Sequence, residues 1–438
     1  MVRRAAERQR GGGRVGPAIL VALLVGGSAC SSGEDGRAAV DEGERPEEEV
    51  TLSVTPARSR LTEPLVFEVG GLEAGAEVTL EVRSTDSQGT GWSSTTTHRA
   101  DDTGAVDLDG SPDAEPDPMA PISSMQPVDP GSAPSPYLWS GEPQAFTVAV
   151  RVDGEEAAST VVERGVPLGV LADTTTIADE GFSGQLYLSP DGVEVEAPAL
   201  VLLGGSDGGL PGPLTAATLA AEGHPVLTVA YFQGPIGDDP DLPPTLADVP
   251  LEPIADAVTW LADRPEVGAA EVWTMGVSRG SEAALLVASA FPDRVAGAVA
   301  LVPSNVALCG FPDCSRPAWT LDGAPVPYTT QLDQPSPTDT PGAVIPVERI
   351  DGPVLGVCGG ADEVWDSCAF AEAIDARLEA EGHPDAHEVI AAPEAGHAIG
   401  GLVPYEPVPA EGPEVAAVQA AKARVWPEVL AFLDAHGS

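Results

Sequence analysis

The chain is poor in positive charge. Of its 438 residues, 21 are Lys or Arg and 68 are Asp or Glu, the formal net charge is −47, and Lys422 is the single lysine. Nucleic acid is held chiefly by Lys and Arg on its phosphates, so this balance argues against nucleic acid as a partner. A surface so acidic repels itself at low ionic strength, and salt is expected to add stability. Beyond residue 30 no run reaches about 20 apolar residues, the length of a membrane span. Cysteine is scarce, with 5 residues, and so is histidine, with 6. The length fits two domains, each with ample core.

The N-terminus reads as an export signal. Arg3, Arg4, Arg8, Arg10 and Arg14 form a basic region, and Val15 to Gly27 is an apolar stretch too short to span a membrane. Gly27-Ser28-Ala29-Cys30-Ser31-Ser32 resembles a bacterial lipoprotein cleavage box, with Gly27 where such boxes usually carry Leu. Residues 1–30 are therefore expected to be a lipoprotein-type signal peptide, with Cys30 lipidated and the protein anchored to the membrane outside the cytoplasm. The acidic stretch 31–49 would be a flexible tether. With Cys30 consumed by lipid, Cys309, Cys314, Cys358 and Cys368 remain, an even number in an oxidising compartment. Disulfides Cys309–Cys314 and Cys358–Cys368 are expected, with four buried thiols as the alternative.

Gly276-Val277-Ser278-Arg279-Gly280 carries the chemistry. It is a G-x-S-x-G turn between a β-rich apolar run, Glu271 to Met275, and an Ala- and Leu-rich helical run, Ser281 to Phe291, the strand–turn–helix context that presents a nucleophilic serine. A second match, Gly204-Gly205-Ser206-Asp207-Gly208, also lies between a strand-like and a helix-like run. Position separates the two. In an α/β-hydrolase the nucleophile turn comes midway along the sheet, whereas an earlier Gly-rich loop supplies a backbone N–H to the oxyanion hole. Ser278 is thus assigned as nucleophile, with the backbone N–H groups of Arg279 and Ser206 as oxyanion donors.

The base must follow the nucleophile, with an acid between them in the chain. Downstream of Ser278 stand His383, His387, His397 and His436. His383 sits in a helix-to-strand connection, His387 begins a strand and His436 is two residues from the end. His397 lies in a Gly-containing loop directly after a strand, as a catalytic His requires. His383 and His387 also read as an H-x3-H metal pair, against which Pro384 between them argues. The acid is assigned to Asp362, in the loop after the buried strand-like run Pro353 to Cys358, with Glu363 and Asp366 as rivals that helix capping alone would explain. Neither a metal nor an organic cofactor is expected.

Strand-like runs Ala197–Leu203, Val226–Tyr231, Glu271–Met275, Val295–Val302, Val354–Cys358 and His387–Ala391 alternate with helical patterns at Leu214–Ala221, Ile254–Ala262, Ser281–Phe291 and Cys368–Glu381, and Ala416–His436 reads as a closing helix. This predicts an α/β fold over 166–438, a mostly parallel sheet covered by helices on both faces. Before it, residues 50–165 read as an all-β sandwich, with strands at Thr51–Val54, Leu65–Val69, Glu77–Val82 and Ala145–Val152, and Asp109 to Pro136 as a long surface loop. The module serves either as a spacer or as a wall of the pocket beside Ser278.

These residues together resemble the acyl-CoA thioester hydrolase and bile acid-CoA:amino acid N-acyltransferase family. The resemblance runs over about 50–436 and is carried in order by Arg99-Ala100-Asp101, Gly104 to Leu108, Met125-Gln126-Pro127, Leu138-Trp139-Ser140, Gly204 to Leu210, Ala230-Tyr231-Phe232, the Ser278 turn, Ile345 to Glu348, Gly360-Ala361-Asp362 with Trp365, and Gly396-His397. It implies an immunoglobulin-like sandwich before an α/β-hydrolase domain, a triad of Ser278, Asp362 and His397, and acyl transfer from a thioester through an acyl-enzyme. Within the family a nucleophilic Cys goes with transfer to an amino acid and a Ser with hydrolysis, so Ser278 favours water over an amine. Export sets a conflict, because acyl-CoA is cytosolic. Hydrolysis of acyl thioesters is the expected activity, with cleavage of oxygen esters by an exported relative, or transfer to an amine, as the alternatives and an inert binding lipoprotein as the remaining class.

Overall fold

A strand buried on both faces must be apolar at consecutive positions, and five runs of the second half meet that demand. In the computed structural model, which describes residues 49–106, 118–129, 136–140, 142–166, 171–190, 195, 198, 199–234, 239–268, 271–331, 337, 340–408 and 413–437, they form the centre of one eight-stranded sheet. Its strands are β1 (Leu171–Thr175), β2 (Ser183–Tyr187), β3 (Ala199–Leu203), β4 (Val226–Ala230), β5 (Val272–Val277), β6 (Ala298–Leu301), β7 (Val354–Gly359) and β8 (His387–Ala392). Across the sheet the order is β1-β2-β4-β3-β5-β6-β7-β8. From β4 to β8 all pairs are parallel, while β2 runs antiparallel to both β4 and β1. This is the α/β-hydrolase order with its antiparallel second strand.

The helices are α1 (Pro213–Ala221), α2 (Glu252–Ala262), α3 (Arg279–Ala290), α4 (Ser367–Glu381) and α5 (Pro413–His436). Alternate residues of each strand serve opposite faces. Leu200, Leu202, Trp273 and Met275 pack with α1 and α5, while Val201, Leu203 and Val272 pack with α2, α3 and α4. Between β6 and β7 the chain makes an excursion over 302–353 that holds short strands, Trp319–Leu321 and Ala324–Pro325, and 3-10 turns.

Residues 51–165 form two sheets. One pairs Thr51–Thr55 antiparallel with Val66–Gly70, and the other has six strands, with Glu77–Thr85 between Gln144–Val152 and Gly91–Arg99. Leu65, Phe67, Leu80, Val82, Trp92, Phe146 and Val148 fill the space between them. The Asp109–Pro136 expectation needs correction. Residues 107–117 and 130–135 lie outside the described residues, but Met119, Ile122 and Met125 are fully buried in the sandwich core around the short helix Ala120–Ser123, and Gln126–Pro127 pairs with Trp92–Ser93. Apolar residues three apart on one turn gave that segment a face to bury.

The last sandwich strand ends at Gly165 and β1 begins at Leu171. Both parts belong to one compact unit, Glu48–Ser438. Arg60 pairs with Glu222 at 3.0 Å beyond α1, and buried Arg164 donates to the Leu61 carbonyl at 2.6 Å. No helix among the described residues is long and apolar enough to cross a membrane.

Candidate active site

The tight turn from β5 into α3 dictates its own sequence. Ser278 takes φ 55° and ψ −121°, a conformation L-residues adopt at a cost on the order of 1–3 kcal/mol. A Cβ at Gly276 would collide with the Gly280 carbonyl, and one at Gly280 with the Gly204 carbonyl, so both flanks must be glycine. The Ser278 N–H donates to Leu301 O at 2.9 Å and its carbonyl accepts from the Ser281 hydroxyl at 2.6 Å. These bonds hold the strained residue at the C-terminal ends of β5 and β6.

Beside it, His397 opens a 3-10 turn after β8. His397 Nε2 lies 3.0 Å from Ser278 Oγ, and His397 Nδ1 lies 2.8 Å from Asp362 Oδ2. Asp362 follows β7 and its side chain is fully buried. Its second oxygen accepts from the backbone N–H groups of Val364 (2.9 Å) and Trp365 (3.3 Å). Burial pushes the Asp362 carboxyl up, but the hydrogen bonds it accepts, first from His397 and then from the Val364 N–H, outweigh it and hold the group below its ordinary range. A hydroxyl, an imidazole and a buried carboxylate in this chain can pass the hydroxyl proton to the ring and stabilise the charge created there.

The two loops flanking Ser278 are braced together. A methyl group on Gly205 would stand 3.8 Å from Ser278 Oγ, so the Gly204–Gly209 loop lies against the serine. The Tyr231 hydroxyl donates to the Gly204 and Gly205 carbonyls at 2.6 and 3.2 Å, and its ring contacts Trp319 at 5.2 Å. The Trp319 indole N–H donates to Glu282 Oε2 at 3.0 Å, which also accepts from the Leu308 N–H at 3.1 Å. Glu282 and Arg279 are a buried ion pair at 2.6 Å, and the Arg279 guanidinium donates to Cys309 O at 2.9 Å. Ser206 itself is exposed at the tip of its loop.

Cys309 is bonded to Cys314, and Cys358 at the end of β7 to Cys368 at the start of α4. The second bridge encloses the Asp362 loop. Glu363 is exposed, and Asp366 caps α4 by accepting from the Ala369 N–H at 3.1 Å. His387 pairs with Asp375 at 2.6 Å, His383 Nε2 lies 2.9 Å from Gly352 O, and His436 sits in the last turn of α5, all away from Ser278. Cys30 lies outside the described residues. Glu282 and Trp319 had no place in the motif reading. A lone carboxylate inside the apolar α3 was the available signal, since a buried charge needs a partner.

Comparison with known proteins places the chain. The family descriptions "Acyl-CoA thioester hydrolase/BAAT N-terminal region" and "BAAT / Acyl-CoA thioester hydrolase C terminal" match residues 62–170 and 249–437. Acyl-coenzyme A thioesterase 1 of Rattus norvegicus is 30% identical over 395 residues, covering 83% of this chain and 88% of the relative. Acyl-coenzyme A thioesterase 6 of Mus musculus is 29% identical over 387 residues, covering 82% and 87%. Among solved structures, an alpha/beta hydrolase enzyme from a Medee basin deep-sea metagenome library is 15% identical, with a TM-score of 0.39 over 60% of this chain and 96% of that one. The chain belongs to the acyl-CoA thioester hydrolase/BAAT family and, with it, to the hydrolases that act on ester and thioester bonds.

Proposed function

We propose that the protein hydrolyses acyl thioesters or esters through an acyl-enzyme on Ser278, with His397 as base and Asp362 as the orienting acid. The hydrogen-bond chain Ser278–His397–Asp362 on a strained serine carries this reading. Ser278 Oγ adds to the acyl carbonyl as His397 Nε2 takes its proton. The oxyanion is held by the backbone N–H groups of Arg279 and Ser206, each worth about 10²–10³ in rate. Collapse breaks the bond to the leaving group, which receives the proton from His397, and water, activated by the same imidazole, then releases the acid and restores Ser278. Asp362, kept ionised by its hydrogen bonds, fixes the tautomer with Nδ1–H and stabilises the imidazolium.

The test is kcat/KM on a medium-chain acyl thioester and on an oxygen ester of the same acyl group, with Ser278→Ala as blank. Hydrolysis of either that falls by several orders of magnitude in the variant upholds the reading. Equal rates with and without the Ser278 hydroxyl sink it.

We further propose export, with residues 1–30 as signal peptide, Cys30 as lipid anchor, 31–49 as tether, 50–165 as sandwich and 166–438 as catalytic domain. Two disulfides support an oxidising compartment. Labelling with a palmitate analogue that is lost in Cys30→Ser would bear this out, and labelling that persists in that variant would count against Cys30.

A further inference from the structure

Every Lys and Arg from residue 49 onward lies among the described residues, so the cationic inventory of that stretch is complete. Its arginines are committed elsewhere. All but Arg164 and Arg349 form ion pairs with carboxylates. Arg164 and Lys422 are buried. Arg349 is exposed but stands just before β7 begins, at the end of the sheet opposite Ser278.

The loops that surround Ser278 carry the other sign. Those leaving the C-terminal ends of β3, β6, β7 and β8 bear the exposed carboxylates of Asp207, Asp313, Glu363, Asp366 and Glu394. Of the two cations on them, Arg316 is paired with Asp248 and Arg349 stands at the far end of its segment, just before β7. Arg279 is turned inward to Glu282. Arg and Lys make the strongest contacts to phosphate oxygens, and a rim of carboxylates lowers the local concentration of anions.

On the hydrolytic reading above, we propose that this site takes acyl donors whose leaving group carries no phosphate, uncharged or cationic. The diphosphate and 3′-phosphate of coenzyme A would approach a rim of like charge on which the described residues offer no unpaired cation. A phosphate-free thiol or an alcohol meets no such barrier, and a cationic leaving group would be drawn in.

The whole chain is assayed on butanoyl-coenzyme A and on the butanoyl thioester of N-acetylcysteamine, which share the reacting bond, with 4-nitrophenyl butanoate alongside and Ser278→Ala as blank. At low ionic strength kcat/KM should favour the N-acetylcysteamine thioester by about tenfold or more, and added salt should narrow the gap by screening. Glu363→Lys with Glu394→Lys should narrow it too, read as the ratio of the two thioester rates. Cleavage of the oxygen ester with neither thioester turned over overturns the proposal, because the phosphate-free thioester is then refused as well. Preference for the coenzyme A thioester, or equal rates indifferent to salt, overturns it. Should the double variant fail to fold, the salt series on the native protein decides alone. Activity that survives in Ser278→Ala would instead refute the serine mechanism, a separate failure.

Discussion

The indole of Trp365 meets the His397 imidazole edge to face, with ring centroids 5.1 Å apart and planes at 89°. Its N–H is tied to the Val302 carbonyl at 3.2 Å, so the ring is itself fixed. Trp365→Ala should lower kcat by about 10²-fold with KM little changed, because the imidazole loses the wall that aims it. Trp365→Phe keeps a ring and should recover most of the rate. Steady-state kinetics of the two variants check this, and equal losses in both would show that the ring does not position His397.

Asp362→Asn removes the charge that steadies His397 and should cost about 10⁴ in kcat. A pH effect on stability accompanies it. The folded-state value is depressed, so the carboxylate's contribution is full above the ordinary Asp range and fades as pH falls through the folded value. The melting-temperature advantage of the native protein over Asp362→Asn should therefore shrink on acidification. Thermal unfolding of both proteins across the acid range measures it, and an advantage that grows in acid would contradict the assignment.

Arg279 and Glu282 are both buried, so breaking the pair leaves an uncompensated charge. Glu282→Gln should destabilise by about 3–5 kcal/mol, read by denaturant unfolding. Because Glu282 holds Trp319 and, through it, Tyr231 and the Gly204–Gly205 carbonyls, kcat should fall in the fraction that remains folded.

The single lysine tests a second buried charge. Burial pulls the Lys422 ammonium down and pushes the Glu406 carboxyl up, while their mutual attraction opposes both shifts. Lys422→Met removes what draws Glu406 down, so its folded-state value rises further. A carboxyl with a raised value contributes most at low pH and loses that contribution as pH rises. The melting-temperature deficit of Lys422→Met should be larger at about pH 8 than at about pH 5, and the reverse order would place Glu406 elsewhere in the electrostatics.

Apolar, wholly buried strands were legible because their pattern leaves few alternatives, as β3, β4 and β7 show. Strands with polar or mixed faces were not. β1, Leu-Ala-Asp-Thr-Thr, is mostly exposed and carries no alternation, and β2 contains a glycine. Gly91–Arg99 and Glu155–Gly165 escaped for the same reason, since Ser, Thr and Glu dominate them and their pairing comes from neighbours. At the site, chain order led to Ser278, Asp362 and His397, which the fold brings within hydrogen-bond reach. The Glu282–Trp319–Tyr231 brace depends on the 302–353 excursion folding back over α3, a contact that local periodicity does not encode.

Active-site labelling tests the serine mechanism most directly. A fluorophosphonate probe, followed by peptide mapping, should modify Ser278 stoichiometrically, and His397→Ala should slow labelling by orders of magnitude. Modification at Ser206 instead, or labelling indifferent to His397, would contradict the account.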